Sequence, residues 1–179
     1  MARTTFKGPV RSLSGFISTG NVMGQALSAG TVDGGTDITG IDLYQGRCMT
    51  IGNTTTVFNL PEIVSDSAVN PSTLSTIGLE YTFLLTANLS GETFTLNCGT
   101  AAGRSTADVF YGTAFYNNTA TDPGVVTAFN AGGTDTLTLN GTDQGGLQGS
   151  YIQCRAVDGL TWQIDTMLVG NGAFAQPWS

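Results

Sequence analysis

The side chains able to do chemistry are few, and the chain contains no histidine at all. That removes Ser-His-Asp and Cys-His nucleophile activation, His-ligated zinc and the usual general base of neutral pH. The three cysteines, Cys48, Cys98 and Cys154, are widely spaced, form no Cys-x-x-Cys pair and are odd in number. A complete disulfide framework is therefore impossible, and the expectation is reduced thiols that act as small hydrophobes on strands. Glu62, Glu80, Glu92 and Asp165 are acids of the kind a glycosidase needs, two of them facing across a sugar. Nothing in their spacing pairs them, and they fall in loops or on wet strand faces. No catalytic residue is assigned, and the chain is not expected to be an enzyme.

Two glycine-rich stretches invite ligand readings. Asp33-Gly-Gly-Thr-Asp37, with Asp42 nearby, and its echo Gly132-Gly-Thr-Asp135 carry oxygens of the type calcium prefers. Neither follows the order of a helix-loop-helix calcium loop, and in a chain this rich in Gly and Thr both read as turns; no metal site is assigned. Gly170-Asn-Gly172-Ala-Phe-Ala175 matches the glycine pattern of a dinucleotide-binding turn, which works only with a helix behind it. Four residues follow Ala175, one of them Pro177, so that helix has no room and no cofactor is expected. The sequons at Asn53, Asn88, Asn117 and Asn140 are what chance gives a Thr-rich chain.

The aromatic residues are more informative. Phe110-Tyr111 and Phe115-Tyr116 are adjacent pairs, so in a strand one ring of each pair leaves the core face. Tyr111 and Tyr116 are the candidate exposed contacts, at a subunit interface or as a sugar-stacking platform. Phe174 and Trp178, near the end of the chain, are expected to dock on a neighbouring subunit.

What positions these residues is a β framework. The chain has 179 residues and 18.5 kDa, room for one compact domain and an arm. It is 40% hydrophobic yet 11% charged, against the roughly 25% charged of an ordinary soluble chain. A core is affordable, so the chain is not disordered, and Thr, Val, Tyr and Phe between frequent Gly and Asn read as strands and turns. Strands are predicted at 48–51, 55–60, 79–88, 92–98, 107–116, 125–130, 134–140, 149–156 and 160–169. The clearest is Glu92-Thr-Phe-Thr-Leu-Asn-Cys98, apolar and polar by turns as a half-buried strand requires. Leu89-Ser-Gly91 and Val157-Asp-Gly159 read as tight hairpins, and Asn140-Gly141 closes another strand. Residues 1–45 hold eight Gly and little alternation, and are expected to be an N-terminal arm or long loop with a short strand at Ile41–Tyr44. Residues 46–179 are then an all-β, Greek-key or jelly-roll β-sandwich with crossovers at 61–78 and 99–106.

The order Asn59-Leu-Pro61, Gly78-Leu-Glu-Tyr-Thr-Phe83, Glu92-Thr-Phe-Thr-Leu96 resembles a theme of structural proteins of tailed bacteriophages. Leu137-Thr-Leu139, Gly149-Ser-Tyr-Ile-Gln153 and Gly159-Leu-Thr-Trp162 are similar to its second half, so the likeness runs over about residues 55–165. The opening Arg3-Thr-Thr-Phe-Lys-Gly-Pro9 also resembles the start of small head decoration proteins. The resemblance implies a virion structural module, jelly-roll-like, that binds the outside of an assembled capsid. The implied partner is the major capsid protein, the implied assembly a homotrimer that bridges capsomers, and the implied location the capsid exterior after synthesis in the host cytoplasm. The alternative it leaves open is a tail-tip or fibre module that recognises a host glycan.

Charge restricts the partners further. A net charge of −7 repels nucleic acid and anionic membrane surfaces, so neither is expected as a partner. Arg3, Lys7 and Arg11 are half of the six basic residues and recur every fourth position. In an extended arm they share a face, which suits contact with an acidic capsid surface. No segment has the length of a signal peptide's apolar core or a membrane span, and the chain is expected to be soluble.

Overall fold

The computed structural model describes residues 25–34, 46–63, 77–119, 126–173 and 175–179. Within them lie eleven strands: β1 Gln25–Leu27, β2 Gly30–Asp33, β3 Cys48–Ile51, β4 Thr56–Asn59, β5 Glu80–Leu85, β6 Phe94–Asn97, β7 Val109–Asn118, β8 Val126–Thr134, β9 Thr136–Leu139, β10 Tyr151–Ala156 and β11 Thr161–Gly170. All nine strands expected from position 48 onward are present. The period-two pattern that locates them is the pattern of burial: Phe94 and Leu96 are fully buried while Thr95 and Asn97 are half-buried, and β11 alternates over its whole length. The chain is an all-β sandwich, with a seven-stranded sheet in the order β1-β3-β5-β10-β11-β7-β8 facing a four-stranded sheet in the order β2-β4-β6-β9.

The pairing is mixed, and this the alternation did not reveal. β1 to β6 pass from one sheet to the other at every step, so that β1, β3 and β5 run parallel in the large sheet and β2, β4 and β6 run parallel in the small one. A fifth parallel pair joins β7 to β11, while β5–β10, β10–β11, β7–β8 and β6–β9 are antiparallel. The turn Leu89-Ser-Gly91 is accordingly not a hairpin. Its flanking strands, β5 and β6, lie in different sheets, and Gly91, at φ +73°, carries the chain across. Val157-Asp-Gly159 is the hairpin expected, closed by Val157 N–H donating to Thr161 O at 3.0 Å. Within the stretch read as an arm, β1 and β2 are edge strands of the sandwich, so 25–34 belongs to the domain and not to a free arm. The short strand expected at Ile41–Tyr44 lies outside the described residues.

The core fills the space between the sheets with rings. Phe58 of the small sheet meets Tyr81 and Phe83 of the large one at centroid distances of 5.7 and 5.0 Å, and Phe94 meets Phe83 at 5.4 Å. Trp162 stands edge-on to Tyr81 at 5.8 Å. These tilted and edge-to-face contacts are the favourable geometry for rings. Cys98 and Cys154 are buried among them as free thiols, and Cys48 is a half-buried one. Burial pushes both buried thiols well above the ordinary cysteine range, which keeps them protonated and unreactive.

Close approaches fix two of the glycines. A Cβ on Gly112 would stand 1.7 Å from Ile164 O, so β7 and β11 can pair there only without a side chain. Gly141 has φ +76°, and a Cβ on it would stand 1.6 Å from Leu89 O. The Asn140-Gly141 turn thus locks the end of β9 onto the β5–β6 crossover. The last residues close the side of the sandwich. Thr138 N–H donates to Pro177 O at 2.8 Å, and Thr136 and Ser179 exchange amide bonds at 3.1 Å, so 177–179 pairs with the free edge of β9.

Candidate functional site

Among the described residues no group of three or more His, Cys, Asp and Glu side chains is placed to hold a metal ion. Asp33, the calcium candidate, instead forms an ion pair with Arg104 at 2.6 Å, and Arg104 Nε donates to Leu60 O at 2.8 Å. Asp135, in the second stretch, accepts from the Thr100 hydroxyl at 3.1 Å and the Thr136 hydroxyl at 3.3 Å. Each of these acids is held by the protein's own donors. Glu92 accepts from the amide and hydroxyl of Thr55, Glu62 from the Ser105 hydroxyl at 2.5 Å, and Glu80 pairs with Arg155. Asp165 stands apart from them, on the outer face of the large sheet.

That face carries the unspent chemistry. Strand register places side chains in rows that cross it. One row runs Ala26, Thr50, Leu84, Tyr151, Met167, Phe115, Ala128, one residue from each of the seven strands. Met167 is 55% exposed and Phe115 45%, and Val126, one row further along β8, is 53% exposed. None of these positions is charged, so this end of the face is a neutral apolar surface. Single exposed hydrophobes are ordinary; here Met167 and Phe115 are register partners on neighbouring strands, so their exposed areas are contiguous.

Toward the other end of the same strands the rows turn polar. Thr82, Gln153, Asp165, Thr113 and Asn130 are in register, and beyond them Glu80, Arg155, Gln163, Tyr111 and Gly132. Gln153, Arg155, Gln163 and Asp165 line a shallow cleft of about 120 Å³. Gln163 and Met167 are four residue steps apart along β11, a distance of about 13 Å at 3.3 Å per residue. The face therefore has an apolar end and a polar end.

The sequence-predicted contacts fall on this frame unevenly. Tyr111 is 51% exposed, as expected. Tyr116 is fully buried and donates its hydroxyl to Thr142 O at 2.7 Å; the exposed ring of the second pair is Phe115. Parity dictates this, because Phe110 faces the core and every second residue after it, 112, 114 and 116, must do the same. Trp178 does not wait for a neighbouring subunit. It packs on Phe110 at 6.2 Å, bridges to Leu137, and its indole N–H donates to Phe129 O at 3.4 Å, leaving 6% of it exposed. The reason is that 177–179 has a free strand edge to pair with inside its own subunit. Arg3, Lys7, Arg11 and Phe174 lie outside the described residues. Met167 and Gln163, which sequence reasoning passed over, were legible as the odd positions of β11, opposite in parity to the buried Trp162 and Ile164.

Among known proteins, no family model, no curated protein and no solved structure matches this chain.

Proposed function

We propose that the chain is a structural protein of a phage particle, a β-sandwich subunit that lies on the outside of an assembled capsid and joins neighbouring capsomers, working as a homotrimer. The observation that carries this reading is the neutral apolar end of the large sheet's outer face, formed by Phe115, Met167 and Val126. On a chain of net charge −7, an uncharged surface is where another acidic protein can approach without repulsion. A subunit of this kind runs no reaction. It adds buried area across joints that internal pressure would otherwise open, and many copies make modest single contacts sufficient. The resemblance between residues 55 and 165 supports the same reading, and Arg3, Lys7 and Arg11 are its contacts to acidic capsid surface.

The test is immunogold electron microscopy of intact particles with antibody raised against the purified chain. Gold spread over the heads is expected, and the double variant Phe115→Asp, Met167→Asp is expected to lose it. Both side chains are half-exposed, so the variant should stay folded with a cooperative melting transition, lowered by the two acids that then face each other in register. Gold confined to a tail tip would replace the capsid reading with a receptor-binding one, and gold nowhere on the particle would end both.

A further inference from the structure

From the polar end of the same face we infer a second activity: a binding site for a neutral saccharide, built from Tyr111 and the cleft of Gln153, Arg155, Gln163 and Asp165. This inference is independent of where on a particle the chain sits. It begins with the ring of Tyr111, half-exposed near the start of β7, one strand in from the edge of the sheet. The Tyr111 hydroxyl lies 3.6 Å from where a Cβ on Gly133 would stand, and Gly132 is its register partner on β8. The ring therefore runs beside a strand segment that offers no side chain to cover it. On its other side its register partner is Gln163, the near wall of the cleft.

The cleft's polar groups are partly committed, and the commitments orient the rest. Tyr151 donates its hydroxyl to Gln153 Oε1 at 3.2 Å, which leaves the Gln153 amide N–H groups as donors. Gln163 Nε2 donates to Asp165 Oδ2 at 3.4 Å, which leaves Gln163 Oε1 and Asp165 Oδ1 as acceptors. Donors and acceptors thus alternate within one short span. A sugar hydroxyl both donates and accepts, and neighbouring hydroxyls on a ring need such alternation. An apolar sugar face needs an aromatic platform beside it, and Tyr111 provides one.

Charge and size select the ligand class. Arg155 is ion-paired with Glu80, so Asp165 is the charge that the cleft's own lining leaves unbalanced, and the exposed Asp158 of the adjoining hairpin adds a second negative charge. A sialic acid, a uronic acid or a phosphate would meet these charges and the net −7 of the chain; a neutral hexose or N-acetylhexosamine would not. The cleft, at about 120 Å³, is well below the ~300 Å³ of enclosed small-molecule pockets. A ligand here lies on the surface with most of itself in water, as one ring of a glycan chain does and a buried cofactor does not.

The experiment is a titration of the ¹⁵N-labelled chain, followed by amide shifts, with neutral oligosaccharides taken from a glycan array and with their sialylated and uronic-acid counterparts. Neutral sugars are expected to shift Tyr111, Gln153 and Gln163, with dissociation constants between about 10 µM and 10 mM. Tyr111→Ala should weaken binding by about tenfold while Tyr111→Phe stays within about twofold, because the ring face and not the hydroxyl makes the platform. Phe115→Ala, at the apolar end, should change nothing. The inference is overturned if neutral sugars at about 10 mM shift none of these amides. Binding confined to anionic sugars, or binding that Tyr111→Ala leaves intact, overturns it equally. None of these outcomes moves the gold label, so the two readings fail separately.

Discussion

At the scale of single residues, Asp108 shows what burying a carboxyl does: one oxygen is bonded, the other, Oδ1, has no hydrogen-bond partner, and the charged form is disfavoured. It is fully buried, accepts the Ile63 amide at 2.9 Å through Oδ2, and its backbone oxygen accepts the Cys98 thiol at 3.3 Å. Burial raises its pKa above 3.8; the Ile63 amide, the Thr106 hydroxyl and Arg104 pull the other way, and Glu62 adds to the rise. The native chain therefore holds this proton to a higher pH than the unfolded chain does. Between 3.8 and the raised value the native state binds more protons, so Asp108 makes stability fall as pH rises through that window. Asp108→Asn is expected to keep the bond from Ile63 and to gain on the wild type across that window, then run level with it in slope. Urea unfolding of both proteins from about pH 3.5 to 7 measures this, since the other carboxylates cancel in the difference. An unchanging difference would mean that Asp108 does not titrate there. Nothing in the sequence singled out Asp108, because burial is a property of the packed loop. Tyr116 is the opposite case: its burial follows from counting by twos from Phe110, and a pair of exposed tyrosines at 111 and 116 breaks that count.

At the scale of elements, the strands were legible and their partners were not. Alternation in β6, β9 and β11 exposes one face and buries the other whichever neighbour is chosen, so it locates a strand without naming what it pairs with. β1 and β2 left no such signal, being three and four residues long, with only Val32 partly buried in β2. The ladder to β4 holds β2 at its edge, and Arg104, 71 positions away, adds to it: its side chain is 7% exposed and reaches both Asp33 and Leu60 O. The bond to Leu60 O is shielded by the buried Arg104 side chain while Asp33 is 54% exposed, so the two together contribute about 1–2 kcal/mol. Arg104→Ala is expected to cost that much in chemical denaturation and to raise amide exchange in β2 ahead of β4 and β6. Uniform exchange across the small sheet would instead assign Arg104 to the global fold. The same pair explains why Asp33 looked like a calcium ligand: an acid beside two glycines marks a loop end, and its partner lies in a distant crossover.

At the scale of the whole molecule, the all-β sandwich and its single core were readable from composition and spacing, while the parallel winding of β1 to β6 was not. Parallel neighbours have no local turn between them, so no short motif reports them. The winding has a kinetic consequence. No two consecutive strands among β1 to β6 pair, and the large sheet joins its two halves only through β10 and β11. Topologies dominated by such distant pairings fold in about milliseconds to seconds, far slower than helical bundles of equal size. Stopped-flow refolding is expected to fall in that range, and removing Thr161–Gly170 should leave no cooperative transition; a folded remainder would show that the first six strands stand alone. Synthesis feels the same constraint. β11 supplies Met167 and Gln163, one to each end of the outer face, and until it is made β7 has no neighbour on that side. The outer face of the large sheet is therefore complete only once β11, the last of the described strands, is paired, and a copy terminated before it keeps Phe115 and Val126 but lacks Met167 and Gln163.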